Sequence, residues 1–189
     1  MKSNPLEDLF HQELRSLYSA EKQLLKAWMK MSQEARHPKL RAVFQTRLRE
    51  TEGQIRRLEE MASLLGKSIH SARCVGMEQM IREGESLKVA DAGDAGWDAS
   101  LVAAAQHLQD YEIERCCVAL ALACRVGQHE IEVLLEKNLK EEKAAAVRLG
   151  KVAKTLKYRE PAVRERARSR REEEMCVSFP ESLLWAGAF

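Results

Sequence analysis

The sequence predicts an all-α protein, a four-helix bundle made of two antiparallel helical hairpins with a shorter helix inserted between them. Alanine, leucine and charged helix-forming residues dominate the 189 residues, and aromatic residues are only 5%. Apolar residues recur at helical spacing in four long segments. Prolines and glycines fall between these segments, where the helices would have to stop.

The first hairpin is predicted by signals at the ends of its two helices. Asn4 can cap the first helix, Pro5 suits its first position, and the apolar period continues to about Ala35. Pro38 starts the second helix and Gly66 ends it. The short turn between the two helices favours an antiparallel pair.

The connection over residues 67–96 is predicted to contain one shorter helix, from Val75 to about Val89, and then a loop from Asp91 to Gly96. A connection of this length can cross the bundle. The long helices before and after it are therefore predicted to run parallel.

The second hairpin is predicted as one helix from about Trp97 to Val126 and another from Gln128 to about Tyr158, with Gly127 at the turn. Pro161 breaks the helical pattern. We therefore predict one domain over residues 1–158 and a tail over residues 159–189, which is first charged and then apolar.

Composition narrows the possible partners. The net charge of +2, with acids and bases interspersed, gives the body no strong attraction for nucleic acid. The arginine-rich tail is the only candidate for such binding, and a solvated extension is the favoured reading. No run of 18 apolar residues and no signal peptide is found, so we predict no membrane partner and a cytoplasmic location. The five cysteines form no CxxC pair, which predicts reduced thiols.

Four glutamates stand where the long helices should be apolar: Glu21, Glu50, Glu112 and Glu142. Three of them interrupt stripes of core-type residues with a spacing of seven, namely Leu14–Glu21–Trp28, Ala105–Glu112–Ala119 and Leu135–Glu142–Leu149. A carboxylate on a buried stripe is costly unless something neutralises it.

The spacing of the four acids repeats between the two hairpins. Glu21 and Glu50 are 29 residues apart, Glu112 and Glu142 are 30 apart, and the midpoint of each pair falls at a predicted turn. Both acids of a hairpin would then lie about 22 Å from its turn. Two packed hairpins could bring four carboxylates to one level of the core, as in carboxylate-bridged two-metal sites.

Charge is the reason to consider a metal. Four converging carboxylates would repel one another, and two divalent cations would remove that problem. Iron or manganese suits an all-oxygen site better than zinc does. The competing interpretation is that these acids pair with Arg or Lys at the edge of the core. Glu50 is the weakest candidate, because Arg47 lies one turn away and could neutralise it, while Gln54 could serve as a hydrogen-bonding partner.

Five segments resemble the YciE/YciF family of ferritin-like, rubrerythrin-type proteins. They are Tyr18-Ser-Ala-Glu-Lys-Gln-Leu24, Glu50-Thr-Glu-Gly-Gln54, Cys74-Val-Gly-Met-Glu78, Tyr111-Glu-Ile113 and Glu141-Glu-Lys143. The resemblance covers about residues 5–157. It implies a ferritin-like four-helix bundle, a homodimer, a di-iron or related metal site and an association with bacterial stress. Relatives in the wider superfamily oxidise ferrous iron or consume peroxide.

The sequence departs from the usual di-iron pattern. Such bundles carry a histidine three residues after the acid on two helices, and here those positions are Gly53 and Ala145. Two hypotheses therefore stay open. One is an iron or manganese protein that oxidises ferrous iron or consumes peroxide. The other is a metal-free dimeric interaction protein with a degenerate site, whose acids are satisfied by Arg47 and water. Whether the protein is an enzyme stays open with them.

Overall fold

The computed structural model describes residues 4–70, 72–87 and 93–156, apart from the side chains of residues 94 and 95. These residues form five α-helices and no strand, which confirms the all-α class. The helices are α1 (Pro5–Glu34), α2 (Pro38–Leu65), α3 (Val75–Ser86), α4 (Gly93–Val126) and α5 (His129–Thr155). The predicted tail and its boundary at residue 158 lie outside the described residues.

The four long helices form the predicted pair of antiparallel hairpins. Helix α1 packs against α2 and α4, and α5 packs against α2 and α4. The start of α4 lies at the turn between α1 and α2, because Asp98 accepts backbone hydrogen bonds from Arg36 and His37. Helices α2 and α4 therefore run parallel, as the long connection predicts. The short α3 packs on α4 and α1.

Most predicted helix ends are confirmed. The side chain of Asn4 accepts a hydrogen bond from the backbone N–H of Leu6 at 3.1 Å, and Pro5 follows it. Gly66 ends α2 at φ 61°, and Gly127 follows α4 at φ 72°. Both angles are left-handed, which only glycine adopts without strain.

The loop predicted from Asp91 to Gly96 is wrong over residues 93–96, which are already helical. The two glycines in this stretch suggested a loop, but tertiary contacts hold the start of α4. Asp98 accepts the two N–H groups of the α1–α2 turn, at 2.8 and 2.7 Å, and the indole of Trp97 donates to the carbonyl of Glu34. Packing against this turn outweighs the low helix propensity of glycine.

The apolar core forms two clusters at different heights. One contains Trp28, Phe44 and Leu101, and the other contains Phe10, Leu58 and Leu135. Between them lies a polar layer, which takes its residues from the middle of all four long helices. None of the described helices has the length and apolar character needed to span a membrane.

Candidate functional site

The polar layer gathers three of the four predicted glutamates inside the core. The side chains of Glu21 on α1, Glu112 on α4 and Glu142 on α5 are completely inaccessible to solvent. Other buried polar residues of the layer are Arg47, Thr51, Gln54, Gln109 and Asn138. Because the helix spacing places these groups between two apolar clusters, their partners are one another and residues at the edge of the core, such as Glu50 and Arg57.

Glu142 is the best-partnered acid in this layer. The Nη2 group of Arg47 donates to both of its carboxylate oxygens, at 2.8 and 2.9 Å. The amide of Gln54 donates to Oε1 at 2.6 Å, and the amide of Gln109 donates to Oε2. The guanidinium of Arg47 also lies over the ring of Trp28, 5.4 Å from its centroid. Glu142 and Arg47 thus form a buried ion pair with added hydrogen bonds.

Glu50 lies apart from the other three acids, at the edge of the core. Its side chain is 20% exposed and accepts from Nη2 of Arg148 at 2.5 and 2.6 Å. Nη1 of Arg47 donates to it at 3.2 Å, as the sequence suggested. Outside it, an open crevice of about 270 Å³ between α2 and α5 is lined by Glu50, Gly53, Arg57 and Glu141, among others.

Glu21 and Glu112 form the second half of the buried layer, and no arginine or lysine in the described part of the chain forms an ion pair with either of them. Within the described residues, no group donates a hydrogen bond to any of their four oxygens. Burial, with the negative charge of Glu142, raises the pKa of Glu21 to about 8. Burial, with the charges of Glu21 and Glu142, raises the pKa of Glu112 well above its usual range. A proton placed between them would turn the two acids into donor and acceptor.

Cys116 lies one turn after Glu112 and is completely buried. Burial raises the pKa of its thiol well above the usual range, and the charges of Glu112, Glu142 and Glu21 add to this effect. The thiol therefore lies in the electrostatic reach of all three buried acids. It is a small residue of the core.

The comparisons with known proteins agree with this architecture. A family model described as a domain of unknown function, DUF892, matches residues 5–162. The chain is 35% identical to protein YciF of Escherichia coli K12 over 154 residues, which is 81% of this chain and 93% of YciF. The chain belongs to the DUF892 family.

Solved structures show the same fold for DUF892 relatives. The crystal structure of the E. coli stress protein YciF gives a TM-score of 0.75 and covers 81% of this chain and 96% of its own. YcfI from Rhodopseudomonas palustris is 35% identical, with a TM-score of 0.74 over 77% of this chain and 92% of its own. A Xanthomonas campestris protein at 18% identity and a TM-score of 0.65, covering 80% of this chain and 92% of its own, shows the fold alone.

The side chains of this DUF892 bundle, as arranged, do not fit a two-metal centre. Both oxygens of Glu142 are engaged by Arg47 and two amides, and Glu50 is engaged by Arg148. In the described part of the chain, no three His, Cys, Asp or Glu side chains converge as metal ligands would. The role of the four glutamates as metal ligands stays a prediction.

Sequence reasoning missed two partners of Glu142 in this DUF892 chain. It named Arg47 as a partner of Glu50 and, in the metal-free hypothesis, of the acids in general, but not of Glu142 in particular, and it gave no role to Gln109. A signal was present, because Leu40, Phe44, Arg47, Thr51, Gln54, Leu58 and Met61 alternate spacings of four and three residues. All seven are buried, so Arg47 and not Glu50 lies on the inner stripe of α2.

Proposed function

We propose that this chain is a stress-associated structural bundle protein, whose buried acids are neutralised by Arg47 and by protons rather than by two metal ions. The observation that carries the proposal is the contact of Arg47 with both oxygens of Glu142. Arg47 is only 2% exposed, so its charge is committed to the core.

Charge balance supports this proposal. Arg47 balances Glu142 within the layer, and Arg148 balances Glu50 at the edge of the core. Glu21 and Glu112 remain, and protons bound to them can remove the repulsion. Two divalent cations would bring four further positive charges to a layer where two acids already have an arginine. They would also have to displace Arg47, Gln54 and Gln109 from Glu142.

The relatives supply the biological setting of the proposal. YciF is described as a stress protein, and YcfI is provisionally described as a structural protein. By similarity, we propose a role in a stress response, exercised through binding of other proteins and not through turnover. A homodimer and a cytoplasmic location are part of the same proposal. Light scattering of the purified chain would test the dimer.

Metal content is the direct test. After purification from cells supplied with iron and manganese, we expect less than about a tenth of an equivalent of either metal, and no shift of Tm when Fe²⁺ or Mn²⁺ is added anaerobically. If a metal ion bound only the folded chain, a free metal concentration of 100 times the Kd would raise the free energy of unfolding by about 2.7 kcal/mol. Two tightly bound equivalents that disappear in Glu21→Gln would contradict the proposal.

The second candidate is an iron or manganese centre that oxidises ferrous iron or consumes peroxide. The observation that favours it is that the four oxygens of Glu21 and Glu112 are buried and that none of the described residues donates a hydrogen bond to them. Aerobic oxidation of added ferrous iron by the wild type should then exceed that by a Glu21→Ala/Glu112→Ala variant. Equal rates would eliminate this candidate.

A further inference from the structure

Cys74, the residue before α3, covers the seam between α1 and α4. Its backbone N–H donates to the hydroxyl of Ser19 at 2.9 Å, and its carbonyl accepts from the amide of Gln23 at 3.0 Å. Its sulfur lies 3.4 Å from the hydroxyl of Tyr111. Ser19 and Gln23 are two residues before and after Glu21, and Tyr111 directly precedes Glu112. Cys74 is therefore anchored at the height of the buried acid pair.

Small side chains of α1 and α4 separate α3 from the polar layer. Cys74 and Met77 pack in one cluster with Ala20, Ala27 and Ala104, which are small residues of α1 and α4. Tyr111 is only partly buried, and Cys74 is 3% exposed. Small side chains leave little material between α3 and the polar layer. Removal of α3 would uncover this part of the seam.

We infer that α3 is a removable cap over the α1–α4 seam, and that its departure opens the route between solvent and the Glu21–Glu112 pair. The inference goes beyond the structural role proposed above, because it concerns access to the core and not the charge balance within it. Small ions and water are the species that such an opening would admit.

The attachment of α3 is weak on the side that faces α1. The helix has 12 residues, of which only Met77 and Gly84 are buried, and helices of this length are marginal by themselves. An open groove of about 310 Å³ between α1 and α3 is lined by Lys26, Lys30, Ile81 and Arg82, among others. The ion pairs along α3 are largely exposed and contribute little. Elements with few buried contacts are the first to open.

The attachment to α4 is close and depends on two glycines. A Cβ atom at Gly76 would lie 2.5 Å from the hydroxyl oxygen of Tyr111, and a Cβ atom at Gly84 would lie 2.9 Å from the Cβ atom of Ala104. Any side chain at Gly76 must therefore displace Tyr111 or α3 itself. Gly76→Ala is a way to loosen the cap without touching the polar layer.

Two native thiols can report on the cap and on the core separately. Cys74 lies in the cap, and Cys116 lies in the core within the field of the three acids. The experiment uses the full chain with Cys117, Cys124 and Cys176 replaced by Ser, so that only these two thiols remain. Labelling by iodoacetamide is followed at each thiol by mass spectrometry.

We expect Gly76→Ala to accelerate labelling of both Cys74 and Cys116 by about tenfold, the effect of a loss of roughly 1.4 kcal/mol in closure of the cap. The matched control is Gly150→Ala in α5, where a Cβ atom would meet nothing within 4 Å. Its labelling rates should equal those of the parent. The dependence of labelling on urea should be shallow, because a local opening exposes little surface.

Faster labelling of Cys74 with an unchanged rate at Cys116 would overturn the inference, since the cap would then not control the core. Labelling of Cys116 only at the rate of global unfolding would overturn it as well. If Gly76→Ala does not fold, Ser19→Ala/Gln23→Ala removes the two hydrogen bonds to Cys74 and is judged by the same rates. No metal enters the assay, so its failure is distinct from failure of the proposed function.

Discussion

The two halves of the polar layer differ in how their carboxylates are neutralised. On the α2–α5 side, Glu142 and Glu50 receive hydrogen bonds from two arginines and two amides. On the α1–α4 side, Glu21 and Glu112 receive none from the residues that the structure describes. One half is therefore neutralised by side chains of fixed charge. The other half depends on bound protons.

Because of this difference, the α2–α5 half should stabilise the layer through a fixed charge, whereas the α1–α4 half should make its stability depend on pH. Arginine stays charged at any pH that a folded protein meets, so the positive charge of Arg47 does not change with pH. A carboxyl pair without basic partners changes its charge with pH. The contribution of Arg47 to stability should thus be present at both pH 6 and pH 9, whereas the contribution of the proton on Glu21 should be lost as pH rises through about 8.

The largest expected effect follows from removing the permanent charge. Arg47→Met leaves Glu142 buried without a cation, and breaking a buried ion pair in this way costs about 3–5 kcal/mol. Urea unfolding near pH 6 measures the loss. Arg148→Met is the matched control, because the side chain of Arg148 is 38% exposed and solvent screens its pairing with Glu50. It should cost less than about 1 kcal/mol.

A double variant tests the reason for that loss. Arg47→Met/Glu142→Gln removes both charges, so it should recover part of the stability lost in Arg47→Met. No recovery would mean that the arginine acts through packing over Trp28 and not through Glu142. If Arg47→Met and Arg148→Met lost the same unfolding free energy, the buried and the exposed ion pair would contribute equally, which would contradict the prediction.

The second prediction concerns pH. Glu21 has a pKa of about 8 in the folded chain, against an ordinary value of 4.5. The folded state therefore holds this proton more tightly than the unfolded state does. Its stabilising contribution is complete below pH 4.5 and is lost as pH rises through about 8. The unfolding free energy should fall by up to about 1.4 kcal/mol per pH unit in this window.

Urea titrations between pH 5 and pH 9 measure this slope. Glu21→Gln, which is neutral at every pH, should flatten it. The matched control is Glu130→Gln at the exposed start of α5, which should leave the slope unchanged. A wild-type stability that rises from pH 6 to pH 9 would refute the dependence of the α1–α4 half on protons.

Much of the fold was predictable because local signals agreed with the global arrangement. The apolar period, with Asn4, Pro38, Gly66 and Gly127 at the ends, defined four long helices within a few residues. The early start of α4 at Gly93 was not predictable. It depends on contacts of Trp97 and Asp98 with the α1–α2 turn, more than 60 residues earlier in the chain.

The site was predictable only in part. The interrupted stripes placed Glu21, Glu112 and Glu142 in the core, and the structure does bring them together. The pairing of Arg47 with Glu142 was not predicted, because it depends on how far α2 is rotated. Arg47 and Glu50 are three residues apart, and a small rotation decides which of them faces inward.

The third prediction uses a buried acid that has all its partners. Asp98 is 3% exposed, and its two oxygens accept from the backbone N–H groups of Arg36 and His37. Asp98→Ala leaves two N–H groups without an acceptor and should cost about 2–3 kcal/mol in urea unfolding. This loss of unfolding free energy should be the same at pH 6 and pH 9, whereas the contribution of Glu21 changes with pH. Asp110→Ala, at an exposed position of α4, should change stability by less than about 0.5 kcal/mol.

The smallest expected effect concerns Thr51, which lies on the inner stripe of α2 between Arg47 and Gln54. Its hydroxyl is buried and has no hydrogen-bond partner among the described residues. Thr51→Val replaces that hydroxyl with a methyl group of similar size, so the unfolding free energy should stay the same or rise by about 1 kcal/mol. Thr51→Ser keeps the hydroxyl, loses the methyl and should cost about 1 kcal/mol. A clear loss in Thr51→Val would show that the hydroxyl donates within the polar layer, and a donor to Glu21 or Glu112 would reduce their need for protons.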